Sequence, residues 1–163
     1  MPDGLPHTPL FVPECYVDTA LMRALLFDRR EYINHQHGIG NVGRLMKKQA
    51  ETYGNARRII GMVDRDKKFD EQPYLDAFQP PARVRPEHAT HHILTHPTHP
   101  TQRLIVLNPA CDAWLFKAAR AAVIDPAQYG LPNALPDFIT FCKQREVGDI
   151  SELRNLLTDI RRA

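Results

Sequence analysis

Asp64-Arg65-Asp66 places two carboxylates two residues apart, directly after the apolar run at residues 59–63 (IIGMV). In extended backbone, residues i and i+2 project to the same side, so both carboxylates can reach one hard cation. Oxygen-rich ligand sets suit magnesium or manganese. A cation held there binds phosphate oxygens and offsets charge that develops in a transition state. Glu14 is the second chemically suggestive residue. It interrupts an apolar segment, between Val12-Pro13 and Cys15-Tyr16-Val17, where a charge is costly unless it is paired, bound to metal or at the end of a strand. Such a carboxylic acid can serve as general acid or base on an attacking or leaving oxygen. Each group has a plainer alternative. Asp66 can cap a polar turn, and Glu14 can meet backbone N–H groups at a helix start.

The elements that must position these groups can be read from the chain. Residues 10–16 (LFVPECY) read as a short buried strand. A helix capped by Asp18 or Thr19 then runs to about residue 27, with Leu21, Met22, Leu25 and Leu26 at helical spacing. Tyr32-Ile33 is a weak second strand leading into HGIGNVG, where Gly38, Gly40 and Gly43 mark a tight turn before a helix over 42–53. The run at 59–63 is the clearest strand, and Pro73 opens a short helix ending near Phe78. Residues 103–107 (RLIVL) form a further strand, stopped by Asn108-Pro109 and followed by a helix over 111–123. The tail holds a proline-rich connection (126–136), a helix near 136–145 and an amphipathic helix from about Asp149. Ser151 is its expected N-cap, and Ile150, Leu153, Leu156, Leu157 and Ile160 form its apolar stripe.

Strand–helix alternation argues for an α/β fold with a mostly parallel central sheet, helices on both faces and C-terminal helices. Residues 1–125 are expected to form the α/β domain, with 126–163 a helical extension packing on it. In such sheets, functional side chains gather at the carboxyl ends of the strands. Glu14 and Asp18 follow the first strand, the glycine turn follows the second, Asp64 and Asp66 follow the third, and Asp112 follows the last. This convergence carries more information than any single acid.

The segment Pro13-Glu14-Cys15-Tyr16-Val17-Asp18-Thr19-Ala20-Leu21 resembles the first motif of TOPRIM domains. These domains occur in bacterial primases, topoisomerases, recombination proteins, small RNA-maturation nucleases and overcoming-lysogenization-defect nucleases. His37-Gly38-Ile39-Gly40-Asn41 resembles the glycine turn of that family, and residues 59–66, ending in Asp64-Arg65-Asp66, its DxD strand. The resemblance covers about residues 10–125 and implies a TOPRIM/Rossmann-like fold. It makes Glu14 the general acid/base, Asp64 and Asp66 the Mg²⁺- or Mn²⁺-binding pair, and Asp18 a supporting acid. Cys15 stands where a glycine is usual. Asp112, ahead of Trp114-Leu115, stands where uncharacterised TOPRIM-like proteins more often carry Glu; it is the third candidate metal ligand.

Further signals concern partners. The bases Arg44, Lys47, Lys48, Arg57, Arg58, Arg65, Lys67 and Lys68 face only Glu51, Asp64 and Asp66 within residues 41–68. Arg44, Lys47, Lys48, Arg57 and Arg58 are candidate contacts to a phosphate backbone, with an ordinary solvated helix face as the alternative. His88, His91, His92, His96 and His99 crowd into a proline-rich stretch. They match no clear zinc-ligand spacing and read as a surface loop, with HHIL its only strand-like stretch; a structural zinc site and a phosphate or substrate contact are the alternatives. Trp114 reads as core, and Cys15 as a small buried residue rather than a nucleophile.

Composition bounds the rest. The 163 residues carry 21 Lys+Arg against 19 Asp+Glu, a net charge of +2, which excludes a uniformly basic binder. With 43% apolar and 25% charged residues the chain can bury a core. Three well-separated cysteines without a CxxC fit a reducing, cytoplasmic setting. No apolar run approaches a membrane span, and the N-terminus has no secretory-signal pattern. The first expectation is therefore a metal-dependent phosphodiester-processing protein, a nuclease on DNA or RNA. The rivals are a non-catalytic nucleic-acid or protein-binding module, alone or as a homo-oligomer, and a small-molecule phosphotransfer enzyme.

Overall fold

The computed structural model describes residues 8–66, 68–80 and 90–163. Four strands form one sheet: β1 (Leu10–Pro13), β2 (Ile59–Asp64), β3 (His91–Thr95) and β4 (Gln102–Leu107), in the order β1-β2-β4-β3. β1, β2 and β4 are parallel, and β3 closes one edge antiparallel to β4. The helices are α1 (Tyr16–Leu25), α2 (Ile39–Tyr53), the single turn α3 (Pro73–Asp76), α4 (Cys111–Ala121), α5 (Leu135–Cys142) and α6 (Ser151–Arg162). The expected α/β class and mostly parallel sheet are therefore present.

Both faces of the parallel strands are apolar, as a sheet covered on two sides requires. Phe11, Met62 and Leu107 point into one core with α1, α4, α5 and α6, through Val17, Leu21, Met22, Leu115, Phe138, Leu153, Leu156 and Leu157. Leu10, Val12, Ile59, Val63, Leu104 and Val106 point to the other face, against Ile39, Val42 and Met46 of α2 and Leu75 of α3. The segment after residue 125 thus shares a core with α1 and α4. On the α2 face the buried Gln102 is satisfied twice: its amide donates to the Met46 carbonyl (2.9 Å) and its Oε1 accepts from the Tyr74 hydroxyl (2.9 Å).

Several boundaries differ from expectation, each for a local reason. α1 begins at Tyr16, earlier than Asp18, because Asp18 folds back inside the first turn and accepts from the Cys15 N–H (3.3 Å). The weak second strand is a 3-10 turn (Arg30–Tyr32) followed by extended chain beside β1. There the Asn34 and Gln36 N–H groups donate to the Phe11 and Pro13 carbonyls (2.8 and 2.9 Å), with one bridge between Phe11 and Ile33. α2 begins at Ile39, so Gly40 and Gly43 lie inside the helix; only Gly38, at φ +116°, makes the turn. The N-cap of α6 is Ile150, and Ser151 is its first helical residue. His88 and Lys67 lie outside the described residues.

Candidate functional site

From β1 the chain passes to the 33–36 segment on one side, with α1 on one face. It then crosses by α2 on the other face to β2 on the opposite side. Connections that diverge in this way leave a crevice at the carboxyl ends of β1 and β2. Glu14 and Asp64 lie there. The Asp64 N–H donates to Glu14 Oε2 at 3.0 Å, and the Glu14 N–H donates to the Met62 carbonyl at 3.0 Å. Asp64 in turn accepts from the Cys111 N–H at 2.8 Å, which seats its carboxylate on the first N–H of α4. The positive end of that helix favours an anion there.

Beneath them is Asp18, with no exposed surface. One of its oxygens accepts from the Cys15 N–H, while the other, Oδ1, has no hydrogen-bond partner among the described residues. The Cys15 thiol and the Asp18 and Asp64 carboxylates offer ligand atoms within 4.8 Å of one another. The structure therefore brings Glu14, Asp18 and Asp64 together, with Asp112 close enough to act electrostatically on Asp64. Asp112 lies in the first turn of α4, its Oδ1 accepting from the Ala113 N–H at 2.7 Å.

The electrostatics follow from this packing. Burial raises the Glu14 carboxyl above its ordinary value; the Asp64 N–H lowers it again, Asp66 adds to the rise, and Lys68 opposes it. Burial is also the main cause at Asp18 and Asp64. The two carboxylates and Glu14 repel one another, while the Cys111 and Cys15 side chains relieve Asp18 and the Cys111 backbone N–H relieves Asp64 in part. Burial next to Asp18 pushes the Cys15 and Cys111 thiols up, so both stay protonated. A protonated Cys15 is not a nucleophile at neutral pH, which agrees with its reading as a small packed residue.

Other expected residues fall elsewhere. Asp66 is exposed, and its Oδ1 accepts from the Lys68 N–H at 2.8 Å in a tight turn. β2 ends at Asp64, so the extended backbone that would align the DxD pair stops two residues short of Asp66. Gly38 abuts the site, since its N–H donates to the Glu14 carbonyl at 3.1 Å. Gly40 sits in the first turn of α2, facing Gln72. Arg44 is exposed near the site end of α2 and bonded to Asn41. Lys47 and Lys48 are exposed about 12–14 Å farther along the helix from its first residue. Arg57 is buried, donating to the Thr8 carbonyl and Gln49 Oε1 beside the Tyr53 ring. With Arg58 it precedes β2, about 20 Å from the strand's carboxyl end. Of the five bases, only Arg44 stands near the carboxylates.

The later histidines spread out. His91 meets Trp114 edge-on, and His96 is buried against Tyr74 and Phe78. Sequence reading gave Asp18 a supporting place and left Cys111 out. The available signal was the Cys15-x-x-Asp18 spacing of a reciprocal helix cap; the burial itself depends on the docking of α4. Compared with protein families, curated proteins and solved structures, the chain matches none of them.

Proposed function

We propose that the protein is a TOPRIM-like, metal-dependent phosphodiester-processing enzyme, a nuclease acting on DNA or RNA. The observation that carries this reading is the buried Asp18 carboxylate. Among the described residues it has an unpartnered oxygen beside Asp64 and Glu14, at the carboxyl edge of a parallel sheet. Several carboxylates desolvated together repel, and a divalent cation is the usual compensation. The donor set fits one in part: the carboxylate oxygens suit Mg²⁺ or Mn²⁺, while the protonated Cys15 thiol does not. Asp64 and Asp18 would hold the ion, with Glu14 or Asp112 completing the shell. When bound, the ion would polarise a phosphoryl oxygen.

The chain's own groups supply the remaining chemistry. Glu14, with its proton affinity raised by burial, can deliver a proton to a leaving oxygen or take one from an attacking water. The first turn of α2 opens next to Glu14 through Gly38, and backbone N–H groups at a helix start receive phosphate oxygens well. Arg44, one turn in, would hold the next phosphate. A cytoplasmic setting belongs to the same proposal, on the three free cysteines.

Labelled single- and double-stranded DNA and RNA, incubated with Mg²⁺ or Mn²⁺, test the reading. Cleavage is expected in the wild type, with a loss of at least ~100-fold in Glu14→Gln and Asp64→Asn. Equal cleavage in all three proteins would overturn the assignment of these residues. A second reading is a module that binds nucleic acid without cutting. The exposure of Asp66 and its bond to the Lys68 N–H favour it, since they set this acid apart from the buried carboxylates. Salt-dependent binding with no cleavage in any variant would select it.

A further inference from the structure

We propose that His35 and His37, with Glu146, form a second metal site that takes a borderline transition-metal ion of the zinc class, separate from the carboxylate centre. His35 lies in the extended segment beside β1, and His37 in the bend that follows it. His35 Nε2 and His37 Nδ1 are 3.1 Å apart. Two imidazoles bound to one tetrahedral zinc at 2.0–2.1 Å bring their nitrogens to about 3.3 Å, so little movement is needed.

The other side of His35 is already arranged for a ligand. The Thr19 hydroxyl donates to the Cys15 carbonyl at 2.8 Å, and the same oxygen lies 2.5 Å from His35 Nδ1. Its proton being spent, Thr19 accepts from Nδ1–H. That fixes the tautomer and leaves the Nε2 lone pair facing His37. A metal-ligating histidine is oriented in this way by a partner on its far nitrogen. Tyr16 stacks on the ring, with centroids 4.6 Å apart and 27° between planes, and holds it in place. Burial, reinforced by His37 and Arg23, lowers the pKa of His35. Without metal, a proton on His37 Nδ1 bridges the pair. An ion takes its place as His37 moves to the Nε2–H tautomer, so no net proton is released.

The third ligand is the exposed Glu146, whose side chain must turn in to reach the pair. His35, His37 and Glu146 line one cavity of about 330 Å³. Glu146 sits at φ 54°, a left-handed backbone that a glutamate seldom adopts. Among the described residues its carboxylate makes no ion pair, whereas the neighbouring Asp149 is engaged by Arg23 at 3.8 Å. Arg23 and Arg145 line the same cavity and suit an anion as fourth ligand.

The test uses the full chain, stripped with chelator and titrated with Co²⁺ for its visible d–d bands and with Zn²⁺ by calorimetry. One equivalent should bind with tetrahedral-type bands. His37→Ala, an exposed position, should weaken binding at least ~10-fold, and Glu146→Gln should weaken it and alter the bands. Thr19→Ala should cost roughly 10-fold, with Thr19→Ser restoring affinity. Asp64→Asn should leave the spectrum intact, which separates this site from the carboxylate centre. Absence of stoichiometric binding in the wild type, or binding unchanged by His37→Ala, would overturn the proposal. So would binding abolished by replacing His91 and His92 instead.

Discussion

A carboxylate with no exposed surface and one unpartnered oxygen is an expensive residue, and the expense at Asp18 depends on its ionisation. Its value and that of Asp64 rise together, to about 7 and about 8, from an ordinary value of 3.8, as burial and mutual repulsion resist the second negative charge. Raised carboxyl values mean that the folded state holds protons the unfolded chain has released. Stability is therefore fully present below about pH 4 and lost as pH rises through 7 to 8. In chelator, melting temperature should fall across that window, apart from acid effects at other groups. Asp18→Asn keeps an oxygen for the Cys15 N–H but carries no charge, so it should flatten the decline and melt several degrees higher than wild type at pH 8. An unchanged slope would show that Asp18 ionises freely. The sequence made Glu14 and Asp64 legible, because a charge inside or directly after an apolar run is conspicuous. It made Asp18 seem peripheral and Asp66 central. The difference arises where the strand stops: the i, i+2 rule needs extended chain through both positions, and β2 ends on the first of them.

At the scale of elements, each buried strand was readable as a short apolar run; the starts of α3 and α4 were readable too, while those of α1 and α2 were not. α1 and α2 both begin earlier than the hydrophobic periodicity indicated, since their first turns are set by contacts at the site: Asp18 on Cys15 and Gly38 on Glu14. Such contacts are made between chain segments and leave little trace in local pattern. Gly61 is a comparable case within a strand. It lies where β2 passes under α2, and a Cβ there would meet Met46 Sδ at 2.7 Å and Leu104 Cδ1 at 3.0 Å. The glycine lets α2 approach the sheet closely enough to bring its N-terminus to the strand ends. Gly61→Ala should cost about 1–3 kcal/mol in urea unfolding. Met46→Ala alone should cost about 2–5 kcal/mol. The double variant should lose clearly less than the two losses added, because the new methyl occupies space that the methionine vacates. Strictly additive losses would mean that the contact is not what holds the helix at its distance.

At the scale of the molecule, the question is whether the α/β part and the helices after residue 125 are one cooperative unit. The core supplies the argument. Phe138 of α5 and Leu153, Leu156 and Leu157 of α6 pack in the same buried cluster as Phe11 of β1, Val17 and Leu21 of α1 and Leu115 of α4. Gly148, in the 3-10 turn Val147–Asp149, sits so close to α1 that an added Cβ would lie 3.0 Å from the Ala20 Cβ. The tail therefore covers the very helix that carries Asp18, and its loss would expose the sides of α1 and α4 that it covers. Trp114, the single tryptophan, is half-buried on α4 against this cluster, and its fluorescence reports on that face. Far-UV circular dichroism reports on the whole fold. If the tail is integral, the two signals should give coincident urea transitions. Leu156→Ala, at a position with no exposed surface, should shift both by the same amount, equivalent to about 2–5 kcal/mol. A chain ending at residue 125 should show no cooperative transition. Two separated transitions, or a Leu156→Ala effect confined to one signal, would instead mean that the sheet stands without its tail. The carboxylate crevice would then owe nothing to α6.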